Sequence, residues 1–313
     1  MLGEELGTVV TRQSGAVDPH GQGPIYVCTT NDALDWVLEQ TPRSRRRDLV
    51  LFQNGWLVPW LGQNSLRLGG GSVAAAEAEG QAAASGSEAA APGAGDGAAT
   101  ADADADAAAS VAGAGGDEIT LVALYMAAGP DGTATDGLRT VASGRWAQHV
   151  SHTLSRGGVR CRAVGGADMY GAVVEKLLWA SVFWMMSAAL GGMNVGDIVT
   201  GHRGDVAALT AELLPPLCRQ LRGIAAAGAG PAAAEAAAAL EAGSELVVDA
   251  LVEYSLSISS AVPSRDMALA EFRWRNGALL GMGPTPLHVS WLLRAGVPAE
   301  LLEAHGVAAG AGP

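Results

Sequence analysis

A chain of 313 residues is long enough for two domains, each with a core of its own. Hydrophobic residues at 49% and charged residues at 16% exclude a wholly disordered or fibrous polypeptide. The formal net charge is −13, and an acidic chain is a poor candidate for binding a phosphate backbone, so no nucleic-acid partner is expected.

Pro24-Ile25-Tyr26-Val27-Cys28 is a short β-prone run. It leads through Thr29, Thr30, Asn31 and Asp32 into Ala33–Leu38, where Leu34, Val37 and Leu38 share a helical face and Asn31 or Asp32 suits the N-cap. Pro42 ends that helix, and Arg43, Arg45, Arg46 and Arg47 read as a solvated connection. Asp48-Leu49-Val50-Leu51-Phe52 is unbroken enough for a buried parallel strand, and it stops at Gln53-Asn54-Gly55. Strand, helix and strand in about 30 residues make one βαβ unit.

Residues 69–116 are nearly all Ala, Gly, Ser, Glu and Asp. Seven of the acidic residues fall there, leaving about −6 for the rest of the chain. Such a run buries too little to offset its ordering entropy and reads as a disordered insertion in a surface loop. The strand pattern resumes at Ile119–Met126, continues at Thr140–Ser143, and returns at Val159–Val164 after a helix at Arg145–Leu154.

From Ala167 the period is helical: one long helix at Met169–Met193, then helices near Asp205–Arg222, Ser244–Ser259, Met267–Leu280 and Pro286–Ala295. Between them, Gly223–Gly243 is mostly Ala and Gly and is expected to be a flexible loop at 223–243. The division is an α/β domain at 1–165 and an all-α domain at 166–313. Leu177–Met193 approaches the ~17–25 residues of a membrane span. Glu175 and Lys176 at one end, Asn194 and Asp197 at the other, and interspersed small residues favour a buried central helix with no membrane partner. Three scattered cysteines, Cys28, Cys161 and Cys218, lack metal spacing and fit a reducing intracellular compartment, cytoplasm or chloroplast.

Four short signals could carry chemistry. Asn54 ends a buried strand, where open α/β sheets bind ligands, although Asn-Gly is also a favoured turn. Lys176 opens an apolar stretch; desolvation there lowers an amine's pKa toward a proton donor's range, against the commoner reading of a snorkelling lysine. Glu271 and Arg275 are spaced to pair on a helix, and Asn276-Gly277 sits where Gly costs about 1 kcal/mol. Thr285-Pro286-Leu287-His288 suits a helix start.

In this order the four signals resemble the ketopantoate reductase group: its strand with QNG (48–55), its K-L-x-W helix (Glu175-Lys176-Leu177-Leu178-Trp179), its E-x-x-x-x-N-G segment (Glu271–Gly277) and its T-P step (Thr285-Pro286). The whole chain outside the biased runs is also similar to an uncharacterised plant and algal branch of that group. The resemblance implies a partial Rossmann-like parallel sheet followed by an all-α domain of the 6-phosphogluconate dehydrogenase C-terminal-like type. It implies NADP as cofactor and hydride transfer to a small 2-oxo acid. Lys176, Glu271 and Asn54 would be catalytic, with Lys176 protonating the developing alkoxide. Thr29, Asn31, Asn54 and Gly55 would contact cofactor, and Asn194 and Asn276 substrate. No metal is expected, and such domains often form a homodimer.

Departures from the group's pattern qualify this. No G-x-G-x-x-G precedes Pro24 to receive a pyrophosphate. Met1–Gly7 instead resembles the end of the group's first helix and Thr8–Arg12 its second strand, with Arg12 placed for a 2′-phosphate. Ala180 replaces an active-site Asn, for which Asn194 could compensate, and Thr30 replaces a basic residue. The expectation is therefore an NADP-linked reductase fold whose activity in this chain is in question, with a non-catalytic binding or scaffold protein as the alternative.

Overall fold

The computed structural model describes residues 8–13, 15–69, 117–128 and 134–307. The low-complexity insertion expected at 69–116, apart from Gly69, and the helix end expected at Met1–Gly7 lie outside the described residues.

Strand β1 (Ile25–Val27) is followed by a 3-10 turn (Asn31–Ala33), helix α1 (Leu34–Gln40) and β2 (Leu49–Leu51). Next come α2 (Val58–Gln63), β3 (Leu66–Leu68) and β4 (Asp117–Ala123). A hairpin of β5 (Met126–Ala128) and β6 (Ala134–Asp136) leads to β7 (Thr140–Ser143), α3 (Ala147–Arg156) and β8 (Cys161–Ala163). The main sheet has six strands in the order β1-β2-β4-β7-β8, with β3 alongside the first half of β4. It is mixed rather than wholly parallel: β7 runs antiparallel to β4. The stretch Ile119–Met126, read as one strand, breaks after Ala123, and the β5–β6 hairpin turns the chain back.

Alternation within the strands separates two faces. Val50, Val122 and Ala142 face a small cluster covered by Val150 and Leu154 of α3. Leu49, Leu51, Leu121 and Val141 face the main core, which they share with the helical half of the chain. One hydrophobic core thus crosses the expected boundary at residues 165 and 166.

The helical half begins with α4 (Gly166–Ala189). It continues through α5 (Val195–Gly201), α6 (Arg203–Ile224), α7 (Ala232–Ala242), α8 (Ser244–Ser257), α9 (Arg265–Ala270), α10 (Asn276–Gly281), α11 (Pro286–Arg294) and α12 (Ala299–Glu303). Helix α4 is long and apolar enough to cross a membrane, but 72% of its most hydrophobic window is buried inside the protein. Its burial on all sides follows from its composition, with large side chains such as Phe183 and Trp184 set among Ser181, Ser187 and Ala180.

Three expectations change. Thr8–Arg12 forms no strand; Val9 is 78% exposed, and Arg12 stacks over the Trp36 ring at 6.0 Å. The run 223–243 is not a flexible loop. A kinked turn at Ala225–Ala229, with Gly228 at φ +99°, leads into α7, where Ala233, Ala236, Ala237 and Leu240 are buried at helical spacing. Alanine has the highest helix propensity, and its small side chain lets α7 lie close against α4 and α6. The single helix expected at Met267–Leu280 is broken at Arg275 (φ −119°, ψ −105°), because the Trp274 carbonyl leaves the helical ladder to accept the Trp56 N–H at 2.7 Å.

Candidate functional site

The carboxyl end of β2 is locked from three directions. Gln53 Nε2 donates to the carbonyls of Val27 and Thr29, both at 3.0 Å, which ties the ends of β1 and β2 together. Asn31 Nδ2 donates to the Asn54 carbonyl at 2.7 Å. Gly55 adopts φ +109°, and a Cβ there would meet the Trp274 carbonyl oxygen at 2.6 Å. The Trp274 indole donates to Asp32 at 3.1 Å. Two of the four sequence signals, QNG and F-R-W-R-N-G, are therefore parts of one joint between the sheet and the helices.

Lys176 lies across a small cavity from this joint. It is the eleventh residue of α4, since the helix starts at Gly166 rather than Met169. Its side chain therefore has no helix end from which to snorkel, and it is only 7% exposed. Nζ stands 4.5 Å from the ring centre of Tyr125, 4.9 Å from that of Tyr254 and 5.4 Å from that of Trp179. Tyr125 and Tyr254 meet edge to face at 4.8 Å. Among the described residues Nζ has no hydrogen bond and no ion pair. The neighbouring Glu175 is held by Arg139 at 3.0 Å, which also binds Glu253. Burial, reinforced by the positive charge of Arg275, holds the amine down at about 7.

The cavity has a volume of about 20 Å³, with Gln53, Asn54, Gly55, Leu121, Val173 and Lys176 in its wall. That is room for about one water molecule. Gln53 Oε1 is buried and has no hydrogen-bond partner among the described residues. Lys176, Gln53 and Asn54 thus contribute to the wall of one small cavity.

The remaining predicted site residues fall elsewhere. Glu271 pairs with Arg275, so its contribution near Lys176 is to fix that guanidinium. Arg275 Nε is buried without a partner among the described residues. Asn31 is 4% exposed and braces Asn54 instead of offering an open contact. Thr29 presents an exposed side chain, while its carbonyl serves Gln53. Asn194 caps α5: its side chain accepts the Asp197 N–H at 2.8 Å, so it does not replace an active-site amide at position 180. Asn276 is fully buried, accepting from Trp184 Nε1 at 2.6 Å and bonding His288 Nε2 at 2.9 Å, which leaves its amide closed to substrate. His288 itself is pushed down to about 4 by burial.

Sequence reasoning missed the aromatic enclosure. Tyr125, Trp179 and Tyr254 come from three distant stretches, and only the fold brings them together. It also missed a compositional signal: of the 19 basic residues, 18 are Arg and Lys176 is the single Lys. An amine at the one buried basic position of α4 differs from the guanidinium groups used elsewhere in that its charge can be lost. A second, open cleft of about 640 Å³ is bordered by Arg139, Arg162, Glu175, Glu253 and Tyr125. Tyr125 borders the cleft and also covers the Lys176 amine.

The described residues do not fit a whole dinucleotide. Gly55, the glycine at the β2 terminus, is packed against Trp274, and the cavity admits no nicotinamide ring. No Gly-rich turn lies between β1 and the Asn31 turn to receive a pyrophosphate. No protein-family model matches the chain, and no curated protein matches it. Among the described residues no group of His, Cys, Asp or Glu could hold a metal ion.

Proposed function

We propose that this protein is a divergent reductase of the ketopantoate reductase type, in which Lys176 delivers a proton to the oxygen of a small carbonyl substrate. The observation that carries this reading is the placement of the chain's one lysine. Its side chain is buried, has no carboxylate partner among the described residues, and Lys176 lines a cavity together with the strand-end residues Gln53, Asn54 and Gly55. An amine held at about 7 gives up a proton near neutral pH more readily than an ordinary lysine. In this reading Asn54, which lines the same cavity, orients the substrate oxygen, and Arg275, paired with Glu271, adds positive charge near the developing alkoxide. NADPH is the hydride source that the resemblance implies; because the described residues lack a phosphate cradle, no step is assigned to it.

The water-sized cavity favours a second reading, in which the fold is kept as a non-catalytic binding protein. One experiment separates the two: titrate NADPH by fluorescence, then assay its oxidation with a panel of 2-oxo acids for the unaltered protein and for Lys176→Met. Binding by both proteins, with turnover only in the unaltered one, supports the reductase. Absence of NADPH binding leaves the non-catalytic reading, and equal turnover in both proteins removes Lys176 from the chemistry.

A further inference from the structure

We infer that the turn joining β6 to β7, Gly137-Leu138-Arg139, is a gated strap. It closes the aromatic enclosure of Lys176 on the side of the open cleft, with the ion pair of Arg139 and Glu253 as its latch. The strap governs access alone and requires no carbonyl chemistry at the amine, so it stands apart from the reductase reading.

The small cavity at the strand ends is not the outlet of the amine. Lys176 contributes to its wall, but none of the three rings over Nζ does. The open cleft of about 640 Å³ has the reverse character: Tyr125 borders it, and Lys176 does not reach it. Tyr125 is thus the wall that the cleft and the amine share, with its ring centre 4.5 Å from Nζ.

The strap backs that wall. Gly137 donates its N–H to the Tyr125 carbonyl at 3.0 Å. It has no room for a side chain, since a Cβ there would overlap the Tyr254 ring and stand 2.9 Å from the Tyr125 carbonyl oxygen. Tyr125 and Tyr254 are the two rings closest to Nζ, and they meet edge to face. Gly137 therefore packs on both covers of the amine at once.

The next two residues make the strap releasable. Leu138 adopts φ +63°, a region that bulky side chains rarely occupy, and its side chain lies 49% exposed in the cleft instead of in a core. Such a residue gains by leaving the closed geometry. Arg139 opposes that gain, pairing with Glu175 of α4 at 3.0 Å and with Glu253 of α8 at 2.8 Å. The two pairs are unequal: the Glu175 side chain is sheltered, whereas that of Glu253 is 75% exposed. An ion pair open to water contributes little, so the Glu253 side is the weak half of the latch. A glycine wedge, a strained residue and a half-exposed ion pair in three consecutive positions give a segment with a low local opening energy.

The chain's single lysine makes opening measurable, because acetylation of its side chain by N-hydroxysuccinimidyl acetate is read on one peptide by mass spectrometry. The full chain is labelled at about pH 8, above the value of about 7 at which burial holds the amine, over a series of urea concentrations below the unfolding transition. Strap opening exposes little surface, so the rate is expected to stay flat with urea, whereas access by global unfolding makes it climb with the full slope of the unfolding transition. Glu253→Gln is expected to raise the flat rate about two- to fivefold, the range of an exposed ion pair. Gly137→Ala is expected to raise it further. Glu245→Gln, an exposed change on the same helix outside the cleft, is expected to leave it unaltered. A rate that follows global unfolding in the unaltered protein overturns the strap. So does a rate in Glu253→Gln equal to that of the unaltered protein, a result that is decisive even if Gly137→Ala does not fold.

Discussion

Two buried polar side chains in the helical half, Asn276 and Lys176, are handled in opposite ways. Asn276 is fully buried, and both ends of its amide are used, by the Trp184 indole and by the His288 ring together with the Ser181 carbonyl. Lys176 is almost as buried, yet its amine meets only π faces. The first arrangement stabilises the fold, because desolvation is offset bond for bond. The second costs stability, because an amine moved from water into a site without acceptors favours losing its charge. A buried polar group without partners is therefore the better guide to chemistry, and a fully bonded one to architecture.

Substitutions can break this contrast. The largest effect is expected for Asn276→Leu, which leaves Trp184 Nε1 and His288 unpaired. It should destabilise the protein by about 3–4 kcal/mol in urea unfolding. Lys176→Met should act in the opposite direction, stabilising by about 2–3 kcal/mol at pH 6. The sign follows from the folded amine at about 7 lying below its ordinary 10.5. Between those values the unfolded chain binds more protons, so stability rises with pH. The advantage of Lys176→Met should be full below pH 7 and vanish toward pH 10.5; a constant advantage across that range would show that charge burial is not its source. Gly55→Ala tests the joint between the halves. With φ +109° and the Trp274 carbonyl 2.6 Å from the new Cβ, a loss of about 2 kcal/mol is expected, together with weakened burial of Trp274 fluorescence. The smallest effect belongs to Asn194→Ala, which removes a helix cap and should cost about 1 kcal/mol without altering any ligand binding at Lys176.

The strands and helices that sequence patterns reveal are those whose side chains fall on one or both faces of a core. Leu49–Leu51 and Gly166–Ala189 were legible because long apolar runs have few other places to go. Strands β5 and β6 carry few large apolar side chains, and β3 ends directly before the biased run at 69–116, so none of the three stands out as a strand. The alanine run 223–243 misled because low side-chain volume signals disorder in isolation, whereas packed against α4 and α6 it permits close helix contact. In the site, Lys176, Asn54 and Gly55 were readable as local motifs, and the fold places them around one cavity. For Asn276 and Asn194, spacing does not reveal whether an asparagine's amide is already committed, and both have protein partners. The three rings over Nζ come from positions 125, 179 and 254, and no local window contains that arrangement.

The register of β3 on β4 has a practical consequence. Leu66 lies opposite Asp117 and Leu68 opposite Ile119, so the chain leaves and re-enters the same sheet on adjacent parallel strands. Severing the polypeptide between Leu68 and Asp117 would yield two fragments, each holding part of one β-sheet and complementary edges. Co-expressed halves should associate spontaneously, making this position a natural breakpoint for a split-protein sensor.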